Sequence, residues 1–234
     1  MPMLGLDPLY MILLLPCIAL SALASLLVKR AFGKYSKERC SSGLTGAAAA
    51  KRMLECNGVM DVRIERISGF LSDHYDPTAK VLRLSPDVHD GNSLASVGVA
   101  CHEAGHALQH ATSYVPLNLR TWLVPITSIS SNFAIYVFFA GLLFQFKPLL
   151  MVGCAMFGAA VLFSLVTLPV EWDASARAKR HIVTAGVVSP DQSGSAGRVL
   201  NAAFLTYLAA AMSSLMTLFY YLLRSGLLGG RSRD

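Results

Sequence analysis

The chain has 234 residues, 54% of them hydrophobic and 15% charged, with a formal net charge of +6. Its mean hydropathy of +0.51 excludes an ordinary water-soluble domain and directs the reading to a membrane. The basic excess then reports topology and contact with anionic lipid, which argues against nucleic acid as a partner.

Four stretches lack any charge: Leu9–Val28, Thr121–Phe146, Pro148–Val170 and Val199–Leu223. Each is long enough to cross about 30 Å of hydrocarbon as a helix. The first reads as a retained anchor, because its basic residues follow the apolar run and no convincing cleavage site precedes Lys29. After it, Ser41–Glu55 reads as a helix with Thr45 as cap, a run of alanines, and Asn57-Gly58 as the stop. Short alternating segments come next: Val62 to Ile67, Phe70–Tyr75 and Val81–Leu84, with Asp76-Pro77 turning between the last two. They predict a small antiparallel sheet of two or three strands. Its edge would pair with an extended peptide or merely cover the helix that follows.

That helix runs from Ser93 to Thr112 and holds His102, Glu103 and His106 in the spacing H-E-x-x-H. Residues four apart lie one turn above each other, so the two imidazoles share a face with Cβ atoms about 5–6 Å apart, a bite suited to one zinc ion. Glu103 lies about 100° further round, placed to act as a general base. Ser93 can cap the helix, Ala95, Val97, Val99 and Ala100 can bury its flanks, and Gly105 would admit a close neighbour.

The second and third apolar stretches are separated by Lys147, with Gln145 and Pro148 beside it, which predicts a tight helical hairpin returning the chain to the side it left. Lys29–Arg120 carries 12 Lys or Arg and Glu171–Arg198 carries 4, against 4 at Lys147, Arg224, Arg231 and Arg233. The asymmetry places both large segments in the cytoplasm.

A catalytic zinc needs a third protein ligand. The first acidic residues downstream are Glu171 and Asp173, in PVEWDASARAKR. Pro169 would sit in the first turn of a helix there, or kink one running straight out of the third span. On a helix the two carboxylates point about 200° apart. Glu171 is taken as the ligand, Ser175 on the same face as its hydrogen-bond support, and Asp173 as half of a solvated salt bridge to Arg177.

HEAGHALQH, the EWDAS segment and LSDHYDPTAKVLRLSPDV together resemble the bacterial membrane-bound neutral zinc metallopeptidase family, often called YugP-like, over most of the chain. The distal E-x-x-A-S is also similar to the gluzincin arrangement. The resemblance implies His102, His106 and Glu171 as ligands of one catalytic Zn2+, with Glu103 catalytic. Many gluzincins carry Asp where this chain has Ser175.

Other side chains have two readings each. His110 would support the site or lie at the surface, since three successive turns diverge from one ion. His74, Tyr75, Arg177 and His181 are candidates to stabilise an oxyanion; the alternatives are a structural turn for the first two and a basic membrane-facing surface for the others. Cys17, Cys40, Cys56, Cys101 and Cys154 show no ligand spacing and no disulfide is assigned; Cys101 reads as a packing residue.

The reading is therefore a mostly α membrane protein with about four transmembrane helices and a small α+β zincin-like cytoplasmic domain. Residues 1–30 form the anchor, 31–120 the zincin-like region, 121–170 the hairpin, 171–198 a cytoplasmic helix with the third ligand, 199–223 the last span and 224–234 a tail, disordered at its end. The expected function is zinc-dependent endopeptidase action on protein or peptide substrates in a bacterial plasma membrane, with a metal-activated water and Glu103 as base. The rival is a proteolytically silent zinc-binding adaptor or chaperone. A zinc transporter is disfavoured because the spans hold no Asp, Glu, His, Lys or Arg for an ion path.

Overall fold

The structure, a computed structural model, describes residues 7–69 and 72–226. In chain order its elements are α1 (Pro8–Tyr35), α2 (Gly46–Cys56), β1 (Arg63–Arg66), β2 (His74–Asp76), β3 (Val81–Leu84), α3 (Pro86–His89), α4 (Leu94–Ala111), α5 (Val115–Leu143), α6 (Lys147–Thr184) and α7 (Pro190–Arg224). The chain is thus mostly helical with one small sheet, and α1, α5, α6 and α7 are long and apolar enough to cross a membrane.

Each long helix extends beyond its charge-free stretch. Helix α7 starts at Pro190, a residue suited to the first helical position because the N–H it lacks has no partner there. Helix α6 runs unbroken through Pro169, so the separate helix with Pro169 in its first turn gives way to a helix that continues straight out of the apolar stretch. Pro169 removes one ladder bond, and the turn before it is braced by the Thr167 hydroxyl, which donates to the Phe163 carbonyl at 2.8 Å.

Two units are distinguished by their contacts. One comprises, of the described residues, 7–23, 119–168 and 206–226. Here the α5–α6 hairpin turns through Phe144–Phe146, with Gln145 at φ +52°. Gly153 lets the helices meet closely, since a Cβ there would lie 2.8 Å from the Phe138 backbone. Phe138 stacks on Tyr221 with ring centroids 4.2 Å apart. Ile12, Ile18, Ile129 and Phe133 face outward, the pattern of helices solvated by hydrocarbon rather than water.

The second unit comprises residues 24–118 and 169–205. Helix α2 begins later than expected, at Gly46, because the Thr45 hydroxyl caps it by accepting from the Ala48 N–H. It ends at Asn57, with Gly58 at φ +76°. The apolar side of α2 (Ala49, Ala50, Met53) shares one core with Leu82, Leu84, Val97, Ala100 and Ala104.

The sheet order is β1-β3-β2. β2 pairs antiparallel with β3, but β1 pairs parallel with it, Ile64 opposite Leu82. The wholly antiparallel expectation is therefore corrected to a mixed sheet. Strands that alternate in direction along the chain leave the first and third parallel when they are neighbours. β3 takes the centre because Val81, Leu82 and Leu84 are its buried residues, whereas the exposed ends of β1 suit an edge. Of the expected Phe70–Tyr75 strand, Phe70 and Leu71 lie outside the described residues, as does the tail 229–234.

Candidate metal centre

Helix α4 carries the site and is fixed at its start by Ser93, whose hydroxyl accepts from the Ser96 N–H at 3.1 Å. The face of α4 that carries the histidines packs on α6 through Gly105. A Cβ at that position would lie 2.5 Å from the Ala174 carbonyl oxygen and 3.2 Å from its carbon, so the backbones approach as only glycine permits. This contact brings the ends of the H-E-x-x-H motif to a carboxylate 65 or more residues away in the sequence.

His102 Nε2 lies 3.2 Å from Glu171 Oε2, and His106 Nε2 lies 3.6 Å from the same oxygen. The three candidate ligand atoms all fall within 4.8 Å of one another. Zinc at its usual 2.0–2.1 Å from nitrogen or oxygen separates two tetrahedral ligands by about 3.3 Å. The trio fits one such ion. Glu171 is 1% exposed and His106 7%. Burial works to raise the Glu171 carboxyl, but the His102 and His106 rings beside it outweigh burial and hold the group well below the usual carboxylate range.

The remaining ring nitrogens decide which way the imidazoles present themselves. His102 Nδ1 lies 3.2 Å from Ser175 Oγ, and His106 Nδ1 lies 3.0 Å from Gln109 Oε1. The Gln109 amide is oriented without ambiguity, because its nitrogen donates to the Val170 carbonyl at 2.8 Å and to Asp173 Oδ2 at 2.9 Å. His106 Nδ1 therefore donates and its Nε2 keeps a lone pair for a metal. Ser175, four residues on from Glu171, thus lies beside His102.

Glu103 is 8% exposed. Among the described residues its carboxylate takes no hydrogen bond from a protein donor, while its helix neighbours His102 and His106 are both engaged. A shielded carboxylate in that position retains its acceptor capacity for a water.

The other candidates are drawn elsewhere. The Tyr75 hydroxyl meets His110 Nδ1 at 2.8 Å, joining β2 to α4; burial pushes the Tyr75 phenol up to about 12, with Asp61 and Asp76 adding to the shift. His110 is outside the trio. His74 is exposed and its Nδ1 bonds the Ser72 carbonyl. Arg177 Nε binds Asp173 Oδ2 at 2.6 Å and its Nη1 donates to Thr112. The Asp173–Arg177 bridge is partly buried and shared with Gln109, which corrects the expectation of an ordinary solvated pair. Burial, then Arg180 and Arg177, hold the His181 imidazole below its ordinary value.

Gln109 was not anticipated from the sequence. It stands three positions after His106 on the same helical face, and the structure buries it wholly, which that spacing does not signal.

A mostly helical membrane protein in which an H-E-x-x-H helix and a glutamate of a second helix form one trio able to hold a metal ion falls in a narrow class, that of membrane proteins with a candidate zinc site. The chain belongs to the family described as "Putative neutral zinc metallopeptidase", whose profile matches residues 10–226. It is 45% identical over 215 residues to a protein of Bacillus subtilis (strain 168) called "Putative membrane protease YugP", covering 92% of this chain and 96% of that relative. No solved structure matches the chain. Zinc is accordingly its cofactor, and His102, His106 and Glu171 are the group that could hold one ion.

Proposed function

We propose that the chain is a zinc-dependent endopeptidase of the membrane, with Glu103 as its general base. The observation that carries this is the pairing of the trio with Glu103, one residue along the same helix from His102, a buried carboxylate that takes no hydrogen bond from a donor among the described residues. A purely structural zinc site closes with four protein ligands and has no use for such a group.

His102, His106 and Glu171 would hold the ion. When bound, zinc supplies Lewis acidity, polarising a carbonyl and acidifying a water. Glu103 takes the proton of the attacking water and passes it to the leaving amine. Ser175 and Gln109 keep the two imidazoles turned with Nε2 inward. The burial of Glu171 and Glu103 limits water at the reacting centre.

An extended substrate is accommodated beside α4. Glu103, Ala107, His110 and Ala111 fall on one stripe of that helix, and beyond Glu103 the stripe borders a cavity of about 320 Å³ lined also by Tyr75, Asp61 and Lys80. β2, which carries Tyr75, is an edge strand able to pair with a peptide backbone. The site lies on the cytoplasmic side in this reading. The concentration of Lys and Arg in residues 29–120 and 171–198 supports that side.

The rival is a zinc-binding adaptor without turnover. The test is the detergent-purified full chain against Glu103→Gln, with zinc measured by elemental analysis and cleavage measured on an unfolded protein such as casein. One zinc in both proteins, with cleavage falling about 10²–10⁴-fold in the variant, is the expected result. Undiminished cleavage in Glu103→Gln refutes the mechanism, and zinc without cleavage in the wild type favours the adaptor.

A further inference from the structure

The polar contacts that begin at the metal-facing rings do not end there. Gln109 is 0% exposed, yet its amide is engaged on three sides: His106 Nδ1 on the oxygen, and Val170 O and Asp173 Oδ2 on the nitrogen. Asp173 Oδ2 also receives Arg177 Nε, and Arg177 reaches Thr112 Oγ1 while its guanidinium lies 5.6 Å from the Tyr114 ring centroid. The last turn of α4 and the turn that follows are thus held to α6 on both sides of Glu171. His102 is supported differently, by the Ser175 hydroxyl.

We infer that Gln109 and Asp173 act together as a positioning pair for His106, the buried amide carrying the polarising effect of the Asp173 carboxylate to the imidazole. The inference rests on His102, His106 and Glu171 being the metal trio. Hydrogen bonds in series polarise one another in a low-dielectric interior. An Nδ1–H facing an amide oxygen, itself backed by a carboxylate through the amide N–H, makes Nε2 a stronger donor to a cation and fixes the ring's rotation. Gln109 touches no reacting atom; it acts through His106. A glutamine merely filling space in the core would bring no such dependence on Asp173.

The test is zinc affinity of the full chain in detergent, by competition with a chromophoric chelator, together with the visible spectrum of the cobalt-substituted protein and the thermal midpoint of the metal-free form. Gln109→Leu is expected to weaken zinc about 10–100-fold and to change the cobalt spectrum. Because Asp173 works through Gln109, Gln109→Leu/Asp173→Leu should bind zinc no more weakly than Gln109→Leu alone. Asp173→Asn keeps an acceptor for the amide but removes the charge; it should weaken zinc about tenfold, while the metal-free midpoint falls only by the loss of the Arg177 bridge, as in Arg177→Gln, and it decides the matter if Gln109→Leu does not fold. Wild-type affinity in Gln109→Leu, additive losses in the double variant, or wild-type affinity in Asp173→Asn each overturn the pairing. Glu171→Ala separates the failures: if it retains zinc, the trio is wrong; if it loses zinc while Gln109→Leu keeps it, only the positioning pair is wrong.

Discussion

Two glycines on α4 should respond to the same substitution with opposite signs. A Cβ at Gly98 would meet the Ala196 carbonyl oxygen at 3.6 Å, an ordinary contact, whereas a Cβ at Gly105 would meet the Ala174 carbonyl oxygen at 2.5 Å. Replacing glycine by alanine inside a helix gains about 0.5–1 kcal/mol from the unfolded state and helix propensity. At Gly98 nothing opposes that gain, so Gly98→Ala should raise the thermal midpoint. At Gly105 the neighbour is backbone, and reaching a 3.4 Å contact requires α4 and α6 to separate by about 0.9 Å. Overpacking of this kind costs about 1–3 kcal/mol and exceeds the propensity gain over most of its range. The separation also pulls His102 and His106 from Glu171, whose nearest nitrogens stand at 3.2 and 3.6 Å. A net 1–2 kcal/mol taken from the metal site is about a 5–30-fold weaker affinity for zinc. Both variants are to be compared by thermal denaturation at one scan rate and by chelator competition. A Gly105→Ala protein as stable and as tight for zinc as the wild type would refute the close helix approach as the device that assembles the trio.

Two further outcomes test neighbouring parts of the fold. Ala111 lines the cavity beside Tyr75 and His110, so Ala111→Leu should shift peptide-library cleavage towards smaller side chains, lowering kcat/KM for large ones about 10–200-fold with zinc content unchanged; an unaltered profile removes the cavity from substrate binding. Asp76 takes hydrogen bonds from the Ala79 and Thr78 N–H groups and from Arg83, and these hold its carboxyl below the usual range. A depressed folded-state value means that its stabilising contribution is complete above the unfolded value of about 3.8 and is lost as pH falls through the lower folded one. Asp76→Asn should therefore lower the thermal midpoint at pH 7 and flatten its dependence on pH below about 4; an acid limb identical to the wild type's would show that Asp76 contributes nothing to it.

What the sequence revealed and what it withheld follow from the range of the interactions involved. Local signals read well. The caps Thr45 and Ser93 and the stop at Asn57-Gly58 act within four residues of themselves, and the structure places all three as expected. The apolar stretches announced four long helices, but not their ends, because a helix leaving hydrocarbon has no reason to stop at the first charge. Pro169 was the harder residue: a proline permits a helix start or an interior position, and only neighbours distant in sequence select between them. The mixed sheet was hidden for a related reason. Alternation marks a strand's faces but says nothing of its lateral neighbour, and the choice of β3 for the centre depends on which strand α4 and α2 cover.

Glu171 was reachable because a hairpin restricts where the chain can return and a helix separates Glu171 from Asp173. Gln109 was not, although it stands three residues from His106. On α4 alone it is one polar residue on a helical face, equally suited to solvent or to the last turn's carbonyls. Its meaning comes from α6, which presents a carbonyl at Val170 and a carboxylate at Asp173 on either side of Glu171. The same spacing explains why Asp173 is no spare acid. Two residues from Glu171, it reaches the Nδ1 side of His106 only through the Gln109 amide, whereas Glu171 lies by Nε2 of the same ring. A single helix can therefore supply both the metal's third ligand and the charge behind its second, and only a partner helix as close as Gly105 allows can use both.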